Sequence, residues 1–170
     1  MITLEPFTTS DFEQLISWIN NPELLVTIAG HDLSFPLTAE QLKDYLKSEN
    51  SHAFKLIDAG SGNTVGHAEL LVKEGRRCKI DKLIIGDQSI RGKGIGQASV
   101  NALLKYAFEQ LGSAEVELNV FDWNVAGIRC YEKCGFSINP GHSKTFEFDD
   151  KSWVAHNMII SRPRWMETTA

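Results

Sequence analysis

The chain has 170 residues, 42% of them hydrophobic and 23% charged, with a formal net charge of -5. This length fits one domain over residues 1–170 with a single sizeable core, and no basic stripe of the kind that follows a nucleic acid is present. No apolar stretch is long enough to span a bilayer, and the first twenty residues carry three acids and no long apolar run. We therefore expect no nucleic-acid or membrane partner, no signal peptide and a cytoplasmic protein.

The spacing of the cysteines and histidines argues against a fold held by disulfide bonds or by a bound metal ion. Cys78, Cys130 and Cys134 are an odd number without a Cys-x-x-Cys pair, and the five histidines are scattered without ligand spacing. We expect reduced thiols and assign no metal site.

The first third of the chain predicts a short strand and two helices separated by an irregular segment. Capping boxes at Ser10–Glu13 and Thr38–Gln41 mark the two helix starts. In chain order the elements are a strand at 2–5, a helix ended by Asn20-Asn21-Pro22, an irregular segment at 23–37 and a helix from Thr38.

The rest of the chain predicts strands, two helices and a terminal hairpin. Apolar and β-branched runs predict strands at 52–58, 64–72, 78–86 and 115–121, of which the last alternates strictly. A helix that stops at Gly112 precedes the last of these strands, and a final helix is predicted from Asn124 to Cys134. Residues 143–160 predict a hairpin around Asp149-Asp150, and the end from Pro163 predicts a frayed terminus.

A glycine-rich loop, "SIRGKGIGQASV" at residues 89–100, joins a predicted strand to a predicted helix. Its glycines allow positive φ and close backbone approach, and Arg91 and Lys93 add positive charge. Free N–H groups at a helix N-terminus favour an anion, typically a phosphate. The spacing fits neither a nucleotide P-loop nor a dinucleotide fingerprint, which leaves the pattern Arg91-x-x-Gly94-x-Gly96.

A second motif, "NVAGIRCYEKCGF", occupies the final predicted helix. Asn124 and Tyr131 are seven residues apart, which is about two helical turns, so they share one helix face with Ile128 between them. The alternative interpretation is an ordinary helix, with Asn124 as N-cap, Gly135 as C-terminal glycine and Phe136 packed on Tyr131.

Together the two motifs resemble the signatures of the GNAT superfamily of N-acetyltransferases, which bind acetyl-CoA. The residues of both segments resemble those of the branch that includes the ribosomal-protein alanine N-acetyltransferases. The resemblance implies an α/β (α+β) fold with a mixed central sheet of about six to seven strands, splayed between the fourth and fifth, and about four flanking helices. Three positions depart from the family pattern: Gly127 replaces an alanine, Cys130 a leucine, and Asn119 stands where some relatives place a carboxylate base.

The resemblance also implies residue roles. The fourth strand would bind the pantetheine arm through its backbone, the loop would bind the pyrophosphate, and Asn124 would contact the arm. The implied cofactor-binding residues are Leu83, Ile84, Ile85, Arg91, Gly92, Lys93, Gly94, Ile95, Gly96 and Asn124. Tyr131 would protonate the departing thiolate, since a phenol pKa of about 10 lies above a thiol pKa near 8.5. The general base stays open between His67, Glu69, Asp81 and water.

The implied activity is transfer of an acetyl group from acetyl-CoA to a primary amine, either a protein N-terminus or a small molecule. The negative net charge favours a cationic acceptor, and we expect Trp18, His31, Phe35 and Trp153 on the acceptor side. The alternative from another class is a catalytically silent acyl-CoA-binding module, which the amide at Asn119 favours and the retained Tyr131 disfavours. The oligomeric state, a homodimer included, stays open.

Overall fold

A computed structural model describes all residues from 1 to 170, and its centre is an eight-stranded sheet. The strands are β1 (Ile2–Pro6), β2 (Ser51–Asp58), β3 (Thr64–Lys73), β4 (Arg77–Ile85), β5 (Glu115–Phe121), β6 (Ser137–Ile138), β7 (Lys144–Phe148) and β8 (Lys151–Ser161). Their order is β1-β2-β3-β4-β5-β8-β6, and β7 also pairs with β8. Only β4 and β5 run parallel; every other pair is antiparallel.

Six α-helices accompany the sheet: α1 (Phe12–Trp18), α2 (Pro22–Ala29), α3 (Ala39–Tyr45), α4 (Ile95–Lys105), α5 (Val125–Lys133) and α6 (Arg162–Thr169). A π-helical turn over Tyr106–Gln110 extends α4, and Gly112 follows it with φ 65°. None of the helices combines the length and the apolar character needed to cross a membrane. The expected α/β fold is confirmed, with more strands and helices than the sequence predicts.

The two parallel strands separate soon after they meet. Residues 77–79 of β4 pair with residues 115–117 of β5, and no pairing continues beyond them. Before the end of β4 the register with β3 also shifts, between His67 and Glu69, and Lys82 takes a φ of 48° at this bulge. The expected splay is therefore present, and it leaves one edge of β4 open.

Two apolar clusters cover the two faces of the sheet. The larger one packs α4 against the sheet, with Leu103, Phe108 and Met158 fully buried. The smaller one lies under α1, α2 and α3 and includes Leu25 and Leu42. Burial of a leucine or phenylalanine side chain contributes about 1.5–3 kcal/mol, so both faces of the sheet are fixed by packing.

The prediction of an irregular segment at 23–37 is wrong, because α2 occupies its first half. The Asn21-Pro22 pair ends the helical pattern of α1 but also starts α2. The side chain of Asn21 accepts a hydrogen bond from the N–H of Leu24 at 2.8 Å, and Pro22 is the first helical residue. The start of the first helix also differs, since a turn begins at Thr9 and the N–H of Thr8 donates to the carboxylate of Asp11 at 2.8 Å.

The predicted frayed terminus is also wrong, because residues 162–169 form α6. Ser161 accepts a hydrogen bond from the N–H of Arg164 at 3.3 Å and so caps the helix. The ring of Trp165 stacks on Phe108 with centroids 5.0 Å apart, which buries it against the larger cluster. A polar sequence around one buried tryptophan thus becomes a docked helix, and α5 is not the last one.

Candidate functional site

The glycine-rich loop presents unpaired backbone donors at the start of α4. Gly92 and Gly94 have φ of 78° and 79°, a region that favours glycine, and Gly94 is the N-cap of the helix. The N–H groups of Gly92, Gly94, Ile95, Gly96 and Gln97 donate to no group of the chain. The first helical bond is donated by Ala98 to the carbonyl of Gly94. Clustered free N–H groups at a helix N-terminus suit an anion such as a phosphate.

Arg91 does not extend over the loop but ties it to the sheet. Its guanidinium donates to the carbonyl of Ile85 at 2.9 and 3.3 Å. Lys93, by contrast, is exposed and forms no ion pair with the chain. Of the two cations predicted to hold the pyrophosphate, Lys93 is thus the one without an intramolecular partner.

The last residues of β4 expose their backbone to the opening between β4 and β5. Ile84 is buried in the smaller cluster, while Leu83 and Ile85 pack against the larger one. All three side chains are therefore held by apolar contacts, and the strand edge that β5 has left is a row of main-chain groups.

The second motif begins with a capped helix. The Asn124 side chain accepts a hydrogen bond from the N–H of Gly127 at 3.0 Å, which leaves the Asn124 amide nitrogen without a partner in the chain. A Cβ on Gly127 would lie 2.6 Å from that nitrogen. The glycine in place of the family's alanine therefore allows the Asn124 side chain to lie over the first turn of α5.

Tyr131 sits at the end of α5 where the chain turns back. The N–H of Phe136 donates to the carbonyl of Tyr131, the N–H of Gly135 donates to that of Glu132, and Gly135 has φ 103°. The predicted helix end is thus confirmed, with the Phe136 ring 6.2 Å from that of Tyr131. The Tyr131 hydroxyl makes no hydrogen bond within the chain, and burial raises the pKa of this phenol, with Cys130 and Cys134 adding to the rise. The phenol is therefore protonated at neutral pH, as an acid must be.

All three cysteines are free thiols, and one of them lies beside the loop. The Cys130 sulfur is 3.7 Å from the position that a Cβ on Gly96 would take. The Cys134 thiol donates to the carbonyl of Gln97 at 3.8 Å, and burial raises the pKa of Cys78 to about 11. The face of α5 that carries Cys130 thus contacts the start of α4.

A cavity of about 590 Å³, which we call the acceptor cavity, opens where β4 and β5 separate. Its walls are residues 26–32 at the end of α2, Lys79 and Asp81 of β4, residues 119–121 of β5, residues 144–146 of β7 and Ala155 of β8. The wall carries two negative charges, from Asp32 and Asp81, and two positive charges, from Lys79 and Lys144. The cavity is therefore not the acidic pocket that the net charge of the chain suggests.

The three candidate bases differ in whether they reach this cavity. His67 is buried, donates from Nδ1 to the carbonyl of Lys82 at 2.9 Å, and burial lowers its pKa to about 4. Glu69 is buried as well, bonded to the Ser51 hydroxyl at 2.5 Å and ion-paired with Lys82 at 3.2 Å. Only the Asp81 carboxylate is part of the cavity wall.

The bulge at Lys82 holds Asp81 in this position. The N–H of Lys82 donates to Asp81 Oδ1 at 2.9 Å, while Lys82 Nζ lies 3.1 Å from Asp32, 3.2 Å from Glu69 and 3.7 Å from Asp81. Burial alone would lower the pKa of Lys82, but the three carboxylates outweigh it and the pKa is raised. Because the Lys82 carbonyl can only accept, the His67 ring carries its proton on Nδ1, and Nε2 can accept from the Tyr45 hydroxyl 3.4 Å away.

Of the four aromatic side chains expected on the acceptor side, only His31 lines the cavity. Trp18 packs on the backbone of Gly86, where a Cβ would lie 2.0 Å from its ring. Phe35 is 41% exposed and lies outside the wall, and Trp153 packs on Phe121 at 5.1 Å. Three of the four residues therefore do not line this cavity, because tight packing or position directs them elsewhere.

Sequence reasoning missed the contribution of β7 to this cavity. Lys144, Thr145 and Phe146 reach the wall because β7 pairs with β8, which in turn pairs with β5. The local signals were the hairpin predicted around Asp149-Asp150 and the alternation in β5, which places Asn119 and Phe121 on one face, but neither shows that the hairpin pairs with β5.

Comparison with known proteins identifies the family. Residues 1–137 match the model of the acetyltransferase (GNAT) domain. The chain is 26% identical over 149 residues to an aminoglycoside N(6')-acetyltransferase type 1 of Klebsiella pneumoniae, which covers 79% of this chain and 73% of that protein. Among solved structures, the fold resembles a spermidine N-acetyltransferase from Vibrio cholerae in complex with CoA and spermine (TM-score 0.81, 20% identity, 97% and 98% of the two chains). It also resembles an aminoglycoside acetyltransferase in complex with coenzyme A (TM-score 0.77, 24% identity, both chains covered in full).

These relatives are aminoglycoside and spermidine acetyltransferases, and none of them points specifically to the ribosomal-protein alanine branch. The family match covers both sequence motifs in full, because the second motif ends at Phe136. The chain therefore belongs to the GNAT family of acetyltransferases, and it is an acetyl-CoA-dependent N-acetyltransferase of amines.

Proposed function

We propose that this enzyme acetylates a small-molecule amine in the acceptor cavity, with Asp81 as general base and Tyr131 as general acid. The observation that carries the proposal is the opening between β4 and β5, which has a row of free N–H groups near it and an accessible carboxylate in its wall. The names of the relatives support a small amine as acceptor, since they act on aminoglycosides or spermidine.

The residues around the opening fit acetyl-CoA, which supplies an acetyl group activated as a thioester. The free backbone N–H groups of residue 92 and residues 94–97 match the needs of a pyrophosphate, and the Lys93 side chain adds a cation. The open backbone edge of residues 83–85 can hydrogen-bond an amide-containing arm, and the free amide nitrogen of Asn124 offers one more donor.

Asp81 would take the proton that the attacking amine must lose. An alkylamine with a pKa of roughly 10.4 is protonated at neutral pH, so a base is needed before nitrogen can attack. The Asp81 carboxylate, held 3.2 Å from Lys79 Nζ and 3.7 Å from Lys82 Nζ, is the one of the three candidate bases that forms part of the cavity wall. This assigns to Asp81 the role that some relatives give to the position of Asn119.

Tyr131 would return a proton to the sulfur that leaves. In the balanced reaction the ammonium first gives one proton to Asp81, and the neutral nitrogen then forms a bond to the acetyl carbon. The carbon–sulfur bond of the thioester breaks, the Tyr131 hydroxyl protonates the thiolate, and the second proton of the amine restores the Tyr131 hydroxyl. The raised pKa of Tyr131 keeps the phenol protonated until that moment.

Two isosteric variants test these assignments. General acid–base catalysis typically contributes ~10²–10⁴-fold, so Asp81→Asn and Tyr131→Phe should each lower kcat by an amount in that range while acetyl-CoA affinity changes little. The measurement is thiol release from acetyl-CoA over a panel of small amines and peptides with free N-termini. Matched controls are Asp150→Asn at an exposed turn and Tyr106→Phe, whose ring packs on Phe54 away from the cavity.

Wild-type kcat in a folded Asp81→Asn or Tyr131→Phe protein would remove that residue from the mechanism. A peptide N-terminus that outperforms every small amine in kcat/KM would contradict the proposed acceptor class.

A further inference from the structure

A second, wholly polar cavity of about 270 Å³ adjoins the acceptor cavity and shares Lys79, Asn119 and Lys144 with it. We call it the basic recess. Its other lining residues are Lys73, Arg77, Glu117, His142, Ser143 and Asn157, so no hydrophobic side chain reaches it.

The recess carries a clear excess of positive charge. Four cationic side chains line it against the single carboxylate of Glu117, which is paired with Lys73 at 2.6 Å. Burial alone would raise the pKa of Glu117, but the Lys73 hydrogen bond and the charges of Lys73, Arg77 and Lys79 lower it, so this carboxylate stays ionised. The ion pairs on this face leave Arg77 and Lys144 without a carboxylate partner, and the only side-chain hydrogen bond of Arg77 goes from Nε to the carbonyl of Glu74.

The floor of the recess offers an oriented amide as well. The Asn157 nitrogen donates to the carbonyl of Leu118 at 3.4 Å, which fixes the orientation of that amide because a carbonyl can only accept. The same nitrogen donates to Asn119 Oδ1 at 3.0 Å, so the NH₂ group of Asn119 is left with no partner in the chain. A carboxylate at position 119 would offer no such donor and would add a negative charge to the recess.

We infer that the natural acceptor carries, besides its amine, one anionic group that binds in the basic recess. This inference rests on the proposed function, since it takes Asp81 as the place where the amine reacts. Arg77 and Lys79 precede Asp81 on the same strand face by four and two residues, and strands rise about 3.3 Å per residue, which sets an amine-to-anion separation of roughly 7–13 Å. The ligand class is an amino carboxylate or an amine bearing a phosphate.

A polycationic amine would meet the opposite charge pattern. Spermine and similar polyamines carry only positive charge, and the far end of such a chain would lie among Arg77, Lys79 and Lys144. The acidic groups nearest to the amine, Asp32 and Asp81, are already paired with Lys82 and Lys79. The recess therefore selects against the acceptor that overall net charge favours.

Matched acceptors test the inference without any variant. Four series of increasing chain length share one primary amine and differ at the far end: ω-amino carboxylates, ω-aminoalkyl phosphates, ω-amino alcohols and α,ω-diamines. We expect kcat/KM for the best anionic acceptor to exceed that of the matched alcohol at least about tenfold, since hydrogen bonds to charged groups contribute that much. The diamine should fall below the alcohol, and the preference should shrink as salt is added. The carboxylate and phosphate arms tell the two anions apart.

Variants then locate the preference. Arg77→Gln and Lys144→Gln should each reduce the ratio of kcat/KM for the anionic acceptor to that for the matched alcohol, whereas Lys43→Gln, an exposed lysine on α3, should leave the ratio unchanged. A melting curve shows whether each variant is folded, and the wild-type ratio stands independently of them.

The outcomes separate the two proposals. Turnover of alcohols and diamines with no advantage for any anion overturns the inference and leaves the proposed function standing. Failure of all four series to release thiol overturns both.

Discussion

Replacing Lys82 by methionine should expose the energetic role of the ion cluster behind the acceptor cavity. The Lys82 side chain is only 8% exposed and contacts Glu69, which is 3% exposed, and Asp32, which is 63% exposed. Methionine keeps the length of the side chain but leaves Glu69 buried without a cation, with Ser51 as a remaining hydrogen-bond donor. Breaking a buried pair in this way costs about 3–5 kcal/mol, a large share of the roughly 5–15 kcal/mol that holds such a protein folded.

The assay is urea unfolding at neutral pH for a double-mutant cycle. Lys82→Met should lower the free energy of unfolding by about 3–5 kcal/mol, and adding Glu69→Gln should recover most of that loss because the unpaired charge is gone. Lys47→Met, which breaks an exposed pair with Asp44, should cost less than about 1 kcal/mol. A loss below about 1 kcal/mol in Lys82→Met, or a double variant no more stable than the single one, would refute the reasoning.

Three further predictions concern pH, thiol reactivity and the last helix. Burial lowers the pKa of His67 to about 4 from 6.5, so the neutral ring stabilises the fold fully above about pH 6.5, and this contribution of roughly 3 kcal/mol is lost as the pH falls to 4. The free energy of unfolding of His67→Gln should therefore fall less steeply over this pH range than that of the wild type, and an equal pH dependence would contradict the lowered pKa. Alkylation of Cys130 should be slowed by saturating acetyl-CoA, since its sulfur adjoins Gly96 of the glycine-rich loop, and an alkylation rate that acetyl-CoA leaves unchanged would contradict this placement. Trp165→Ala should lower the free energy of unfolding by about 3–5 kcal/mol through lost packing on Phe108, and a loss below about 1 kcal/mol would mean that α6 is not docked.

Much of the fold follows from local sequence signals. The predicted strands lie within a residue or two of β2, β3, β4 and β5, because the alternation of apolar residues is a property of each strand alone. The Asp149-Asp150 turn is also confirmed, with both residues at positive φ.

The missed elements depend on residues that carry two signals. Asn21-Pro22 stops one helix and starts the next, so the first interpretation hides the second. The polar residues around Trp165 give no helical apolar stripe, and α6 forms because this one side chain finds a buried place against Phe108.

Only part of the candidate site can be predicted from the sequence. The two motifs predict the loop and α5, since each is a local pattern. His67, Glu69 and Asp81 cannot be ranked as bases from the sequence, because the bulge at Lys82 shifts the register and decides which side chain reaches the cavity. The basic recess needs the predicted β7–β8 hairpin to lie beside β5, and the pairing of β8 with β5 joins segments too far apart in the chain for a local pattern to predict.

The central claim, that the glycine-rich loop binds acetyl-CoA, is tested most directly by calorimetric titration of acetyl-CoA into wild-type, Gly94→Glu and Gly62→Glu proteins. Gly94 and Gly62 both have positive φ, 79° and 75°, and open space around them, so the two substitutions carry similar backbone strain and only one lies at the loop. We predict that wild type and Gly62→Glu bind alike, whereas Gly94→Glu loses at least about tenfold in affinity because a carboxylate then faces the phosphates. Equal affinity in all three folded proteins, or no binding by the wild type, would contradict the account.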